Sequence, residues 1–527
     1  MTNKQDIQTL HAQVVSMSAI LGKMLVQLNT MLGEPDDTRT DPPYTPVESA
    51  IFDLEVVGGT RVPPLAAAPV TPKPELILND EWRHVLDVLE NGTGHVFVTG
   101  EAGTGKSTLL EHFIETTNKV TAVLAPSGTA AIRISGETIH HFFGFGAHAQ
   151  QHDDIQRLDD LRRGKYRALQ VLIIDEASMV RADLMGAIDQ FLRVNGRHEG
   201  QPFGGCRVIM FGDPYQLPPV VRNDAVEERA YLKARFGTEL PYFFHAEVWR
   251  ETPIQICELT TVFRQTDPAF VAALNAFRNG AILPEHLALL NKRVDAVFIP
   301  PDNETWLTLV GTNERAKQIN QRALALIKSP SEFFHASVSA GFNLNDAPTD
   351  VRLELKVGAP VMFLRNNKNG LWHNGTMGRV LTVEPELTVE VNGQPQRVDP
   401  EIWESIEYEH DKKTNKLKRK VKGTFEQIPL KVAAGATVHK GQGQTYDHVI
   451  IDLPHTFAAG QGYVAYSRCR TLAGMVLRCP VKAKDFIVNE EVRRFMSGQP
   501  VARPAPAIAQ VDMFEEGHTN AIPSFTD

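Results

Sequence analysis

The sequence predicts an α/β protein with two parallel-sheet lobes, and three observations lead there. Short Val/Ile-rich runs (HVFVTG, TAVLAP, VLIIDE and RVIMFGD) alternate with helical segments, as strands alternate with crossover helices in a parallel sheet. The alternation resumes beyond residue 300 with TWLTLV, HVIID and MVLRC, which calls for a second lobe. One strand, HVFVT, runs into a glycine-rich loop with a helix behind it, the context of a phosphate-binding turn.

Taken in order, residues 1–33 open the chain as an apolar helix. Ile7, Leu10, Val14, Met17, Leu21, Met24, Leu28 and Met31 recur at alternating spacings of three and four, a coiled-coil seam. Ile20, Leu25 and Leu32 widen that stripe, so homo-oligomerisation or docking on a partner is expected of it, against a helix folded back on its own chain. Residues 34–75, rich in Pro, Asp, Thr and Ala, read as a linker. The first lobe follows over 76–252, with a small wedge insertion near 143–166, and the second lobe takes 253–352 and 427–497. Between its two parts, residues 353–426 change character. LKVGAPVMFL, TMGRVLTVE and TVEVNGQPQRV read as short antiparallel strands with Asn-Gly turns, a small β-barrel. Residues 498–527 form a Pro-rich tail expected to be disordered.

Composition narrows the function. The 527 residues leave room for about three or four domains of ordinary size. With 42% hydrophobic and 22% charged residues the chain reads as a globular protein. A net charge of −9 excludes a generally basic nucleic-acid coat, so any such binding must use a local groove. Cys206, Cys257, Cys469 and Cys479 form no CxxC or Cys/His cluster and are expected to be reduced thiols. No apolar stretch approaches 18 residues, and the amino terminus lacks a basic region before a clean apolar core. A cytoplasmic chain with no membrane partner is expected, nucleoid-associated if bacterial.

The chemistry concentrates in three places. In Gly100-Glu101-Ala102-Gly103-Thr104-Gly105-Lys106-Ser107, followed by Thr108, glycines let the backbone wrap closely around phosphates. N–H groups at the helix start point at the negative charge, Lys106 reaches the β- and γ-phosphates, and the Ser107 hydroxyl coordinates Mg²⁺. In VLIIDE a buried strand ends in two carboxylates: Asp175 is assigned to the metal and Glu176 to the attacking water. Transition-state charge on the γ-phosphate needs cations, for which Arg264 and Arg468 are candidates.

These segments, in this order, resemble superfamily 1 helicases, closest to the 5′→3′ subgroup of PIF-type, RecD-type and phage Dda helicases. The resemblance covers roughly residues 76–485 and rests on GEAGTGKS, LAPSGTAA (124–131), GETIHHFFG (136–144), IIDEAS (173–178), FGDPYQLPPV (211–220), LTTVFRQ (259–265), VGTNERAKQIN (310–320), ATVHKGQGQTYD (436–447) and YVAYSRCR (463–470). It implies two tandem RecA-like P-loop lobes with ATP and Mg²⁺ in the cleft and single-stranded DNA across the top. It also implies an SH3-like barrel inserted in the second lobe, and fork or tailed duplex DNA as partner. Gln216 matches the γ-phosphate sensor, Arg264 and Arg468 the arginine fingers, and Gly443 a nucleotide-contacting position. Strand contacts carry over to Pro126, Ser127, Thr138, His140, Thr312, Asn313, Thr437, His439 and Lys440. Phe142, Phe143 and Phe145 are candidates either to stack on bases or split the duplex, or to fill the lobe core.

The sequence departs from the family's pattern at two positions. Trp82 stands where an adenine-reading Gln is usual and is a candidate to stack on the base; Gly441 replaces a small hydroxyl. The basic run 411–422 reads as a hairpin, either holding nucleic-acid phosphates or simply solvated. In the tail, Gln510, Val511, Asp512, Met513 and Phe514 resemble the peptide that bacterial replication proteins insert into a sliding clamp. The leading expectation is an ATP-dependent 5′→3′ DNA helicase. The alternatives are a translocase on RNA or a protein-displacing motor, and a replisome adaptor acting through its two ends.

Overall fold

The computed structural model describes residues 78–146, 150, 155–221, 225–301, 304–411, 413–414 and 416–498. The expected amino-terminal helix, the linker and the clamp-like peptide lie outside the described residues.

Helix α1 (Asp80–Asn91) precedes the first sheet. Its strands are β1 (His95–Gly100), β2 (Thr121–Ala125), β3 (Glu137–Thr138), β4 (Val171–Ile174), β5 (Arg207–Phe211) and β6 (Ile254–Leu259), all parallel in the order β3-β2-β4-β5-β1-β6. Between them run α2 (Lys106–Thr116), α3 (Gly128–Arg133), α4 (Ile139–Phe143), α5 (Asp160–Ala168), α6 (Ala182–Asn195) and α7 (Val226–Phe236). Strand residues alternate between two cores: Phe97, Leu124, Leu172, Ile174 and Met210 face one side, Val96, Val98, Val123, Ile173 and Ile209 the other. Burial on both faces is why these strands read as continuous apolar runs. One boundary needs correction. β6 begins after residue 253, yet it pairs with β1 from His95↔Ile254 to Gly100↔Leu259 and so belongs to the first lobe.

After α8 (Pro268–Asn279) and α9 (Pro284–Asn291), β7 (Leu307–Val310) opens the second sheet and α10 (Asn313–Leu326) follows it. The chain then leaves for an antiparallel excursion. β8 (Glu332–His335) pairs with β10 (Arg352–Leu355), and β9 (Ser337–Val338) lies between them in sequence. β11 (Pro360–Phe363), β12 (Met377–Thr382), β13 (Thr388–Val391) and β14 (Gln394–Arg397) form a meander. After the hairpin β15 (Glu401–Asp411)–β16 (Lys416–Gln427), β17 (Leu430–Val432) closes the meander's other edge. Val361, Phe363, Val380, Val389 and Leu430 fill its core, with Trp372 stacked on Phe363 at 4.4 Å. β18 (Gly435–Thr437), β19 (Val449–Asp452) and β20 (Met475–Leu477) complete the second parallel sheet, β18-β7-β19-β20; α11 (Gln461–Tyr466) lies between the last two strands and α12 (Glu490–Met496) follows.

The hairpin does not stay with the meander. β16 pairs with β9, and the hairpin's far half reaches the first lobe. Tyr408 joins that lobe's core: its Oη accepts from the Val123 N–H at 3.1 Å, and its own N–H donates to Glu137 at 3.1 Å. The outward side chains of Lys416, Lys418, Arg419, Lys420 and Lys422 are exposed. Two are neutralised, Lys418 by Asp411 and Lys420 by Glu409 across the strands, while Lys422 Nζ lies 2.6 Å from His141 Nε2.

Candidate nucleotide cleft and nucleic-acid interface

The phosphate loop is built by what it lacks. Gly105, at φ +79°, precedes α2 with no side-chain cap, so the helix start keeps backbone donors unsatisfied. A Cβ at Gly103 would lie 2.4 Å from Arg264 Cβ, so arginine-bearing backbone can close over the loop only because that position is glycine. Thr104 is buried and donates to Glu101 O at 3.0 Å, while Ser107 and Thr108 stand exposed on the first turn of α2. The Lys106 ammonium folds onto the carbonyls of Gly100 (2.7 Å) and Glu101 (2.8 Å). Its surface is only partly covered, but the ammonium points inward, and loss of hydration lowers its pKa to about 8 despite the nearby Asp213 and Glu176.

Asp175 and Glu176 directly follow β4, the next strand but one, and Glu176 is held in the left-handed region at φ +49°. Burial raises the Asp175 pKa, opposed by Arg133. Arg133 Nη2 donates to Asp175 Oδ2 at 2.9 Å and Glu176 Oε1 at 3.0 Å, and Gln442 Nε2 donates to Glu176 Oε2 at 3.1 Å. Gln216 is buried beside Asp213, to which its Nε2 donates at 3.3 Å.

The second lobe presses on this loop. The Ala102 N–H donates to Tyr463 Oη on α11 at 2.8 Å, and a Cβ at Gly460 would lie 2.2 Å from Gln216 O. Arg264 Nη1 donates to Ser467 O at 3.2 Å; Arg468, 1% exposed, spends its donors on Val464 O, Gln444 O and Ser467 Oγ. Burial and the neighbouring Arg468 lower the pKa of Arg264. Among the described residues neither arginine has a carboxylate partner, whereas Arg278 is paired with Asp213 and Glu258. Buried cations without counter-charge fit a polyanion.

The expected strand contacts gather at the carboxyl ends of parallel strands, where open α/β sheets bind ligands. Ser127 caps α3 after β2, Thr138 caps α4 after β3, and Thr312 caps α10 after β7, each hydroxyl accepting a backbone N–H. Pro126 and His140 are half-buried beside them, and Asn313 is exposed. Thr437 is buried at the end of β18 and accepts from Lys440 N at 3.3 Å; His439 and Lys440 are exposed.

Two expectations are corrected. Phe142 is fully buried, its ring 5.5 Å from Tyr166 and 5.9 Å from Tyr408, so it has no face for a base; Phe143 is buried beside it and Phe145 stacks on Phe143. Trp82 is 4% exposed because its indole packs on Gly105, where a Cβ would come within 2.3 Å, so it braces the loop instead of offering a stacking face. Gly443 (φ +77°), expected at the nucleotide, lies against the Arg133 guanidinium beside Glu176, with a Cβ placed 2.3 Å from Nη1.

Sequence reasoning missed four residues here. Phe263, 56% exposed, meets Trp82 edge-on at 5.6 Å and had only its place in LTTVFRQ to mark it. Tyr463 stood in the quoted YVAYSRCR. Lys431, with its pKa lowered to about 8 by burial and Lys440, and Arg133 had no local pattern at all.

The residues present fit a divalent cation of magnesium's kind. Ser107 and Asp175 offer hard oxygen donors, and among the described residues no cluster of three His, Cys, Asp or Glu forms a protein cage. Among the described residues no helix is long and apolar enough to cross a membrane. Cys206, Cys257 and Cys469 are free and buried, and Cys479 is free and half-buried.

Comparison with known proteins agrees with this geometry. A family profile described as PIF1-like helicase matches residues 77–283. The chain is 30% identical over 438 residues to the ATP-dependent DNA helicase Pif1 of Bdellovibrio bacteriovorus, covering 81% of this chain and 93% of that protein. Bacteroides sp. Pif1 in complex with ADP-AlF4 superposes with a TM-score of 0.74 at 33% identity, covering 80% of this chain and 97% of that one. Bacteroides Pif1 bound to ssDNA gives 0.58 at 34% identity over the same shares. With its phosphate loop, paired carboxylates and two-sheet α/β fold in place, the chain belongs to the PIF1-like helicase family.

Proposed function

We propose that the chain is an ATP-dependent DNA helicase that moves 5′→3′ on single-stranded DNA and unwinds forked or tailed duplex. The observation that carries this reading is the trio Lys106, Arg264 and Arg468. These cations come from both lobes, meet in one cleft and lack carboxylate partners among the described residues. A triphosphate supplies the missing charge, and its hydrolysis alters the contacts that hold the lobes together, such as Ala102 to Tyr463.

In this reading Lys106 neutralises the β- and γ-phosphates, Ser107 and Asp175 hold Mg²⁺, Glu176 orients the attacking water, and Gln216 senses the γ-phosphate. Arg264 and Arg468 stabilise the transition-state charge once their donors leave the second-lobe carbonyls. Phe263, not Trp82, offers the base a face, so triphosphate recognition is strict and base recognition loose. The hydroxyl caps Ser127, Thr138 and Thr312, with Thr437, His439, Lys440 and the missed Lys431, bind backbone phosphates and give no sequence preference. The meander β11–β14 with β17 is the SH3-like insertion.

Matched duplexes with a 5′ or a 3′ single-stranded tail test the assignment. Unwinding of the 5′-tailed substrate is expected; unwinding of the 3′-tailed substrate alone overturns the polarity.

A further inference from the structure

Arg133 is the last residue of α3, and its guanidinium reaches Asp175 and Glu176. One nitrogen, Nη2, serves both carboxylates at the end of β4, Asp175 at 2.9 Å and Glu176 at 3.0 Å. Nη1 abuts Gly443 of the second lobe, and the buried Nε has no hydrogen-bond partner. Adjacent carboxylates, Asp175 buried and Glu176 half-buried, need a counter-charge, and Arg133 is the cation that bridges them. Charge-assisted bonds of this kind are the strong ones, so whatever takes its place must compete with them.

We propose that Arg133 is a resident substitute for the divalent cation: it holds Asp175 and Glu176 ready while the cleft is empty and is displaced when the metal–nucleotide complex binds. Arg133 is thus a positioning residue that sets the metal concentration at which the site fills. The inference rests on the reading of Asp175 as the metal ligand. Displacement also frees Gly443, which lies three residues after Lys440 on the loop carrying the strand contacts Thr437, His439 and Lys440. Filling the metal site is therefore felt on the strand-binding side of the second lobe.

The test is a Mg²⁺ titration of fluorescent ADP binding to the full chain, with melting temperatures recorded in parallel. Arg133→Gln removes the competitor, so the Mg²⁺ half-saturation should fall by about tenfold, the equivalent of about 1.4 kcal/mol. Its melting temperature should drop in metal-free buffer and recover towards wild type with Mg²⁺ and ADP. Arg133→Lys keeps the charge as a compact ammonium and should move the half-saturation the same way by about threefold, which serves if the glutamine variant does not fold. A half-saturation unchanged or raised in the variants overturns the proposal, as does an equal loss of melting temperature with and without metal. If wild-type binding of ADP is itself indifferent to Mg²⁺, the metal reading of Asp175 fails instead.

Discussion

Raising the pH from 7 to 9 should weaken nucleotide binding about tenfold, and Lys106 is the reason. In the free protein its pKa is lowered to about 8, because burial strips water from its ammonium, which rests on the carbonyls of Gly100 and Glu101 and the Thr104 hydroxyl. A lysine whose pKa is lowered keeps its charge below that value and loses it above. Polyphosphate binds the charged form, so affinity is full below pH 7 and falls as pH rises through 8. With that midpoint the charged fraction is about ten-elevenths at pH 7 and about one-eleventh at pH 9, giving the tenfold ratio, about 1.4 kcal/mol. Near pH 9 binding should take up almost one proton. Fluorescent ADP titrations at constant ionic strength read the affinity. Calorimetry in two buffers of different ionisation enthalpy reads the proton. Lys106→Arg stays charged throughout and should show a flat profile whatever its absolute affinity. A flat wild-type profile, or an identical slope in Lys106→Arg, refutes the reasoning.

Glu176→Gln should cut DNA-stimulated ATP hydrolysis by about 10²- to 10⁴-fold with nucleotide binding retained; preserved hydrolysis in that variant would remove Glu176 as the group acting on water. Phe263→Ala should weaken ATP, GTP and CTP by similar factors of about five, as expected from loss of about 1 kcal/mol of ring stacking, and a loss confined to ATP would count against it. Trp82→Ala should lower the urea midpoint, since emptying a buried aromatic site costs about 3–5 kcal/mol, and leave the ranking of bases unchanged. Tyr408→Phe strands the Val123 N–H and should cost about 1–3 kcal/mol in the same unfolding assay, with ATP hydrolysis intact.

What could be read from the sequence was whatever repeats over short spacing. GEAGTGKS fixed its own loop because glycines and a following helix carry the geometry locally. VLIIDE did the same for the strand and its two acids. Residues whose role depends on distant partners were illegible. Trp82 looked free to stack because nothing in LNDEWRHVL indicates that Gly105 will lie on its ring. Phe142, Phe143 and Phe145 carry no mark separating a wedge from a core, and packing against Tyr166 and Tyr408 decided it. β6 was given to the wrong lobe because a parallel edge strand pairs with a partner some 160 residues earlier, His95 with Ile254. Arg133 stands in a run of small residues, and its importance comes wholly from acids more than 40 positions away.

The Tyr408 side chain has a practical implication for anyone dividing this protein into parts. It is donated by a segment inserted between the halves of the second lobe, yet it is 4% exposed among the apolar residues of the first. A fragment ending near residue 259 would contain every strand of the first sheet and still expose the surface that Tyr408 and Leu417 cover. Such a fragment should be prone to aggregation, and a graft of the hairpin should restore its solubility. The two lobes are separate in sequence pattern but not interchangeable cassettes, and domain-swapped chimaeras within the family would need the first lobe and the hairpin exchanged as a pair.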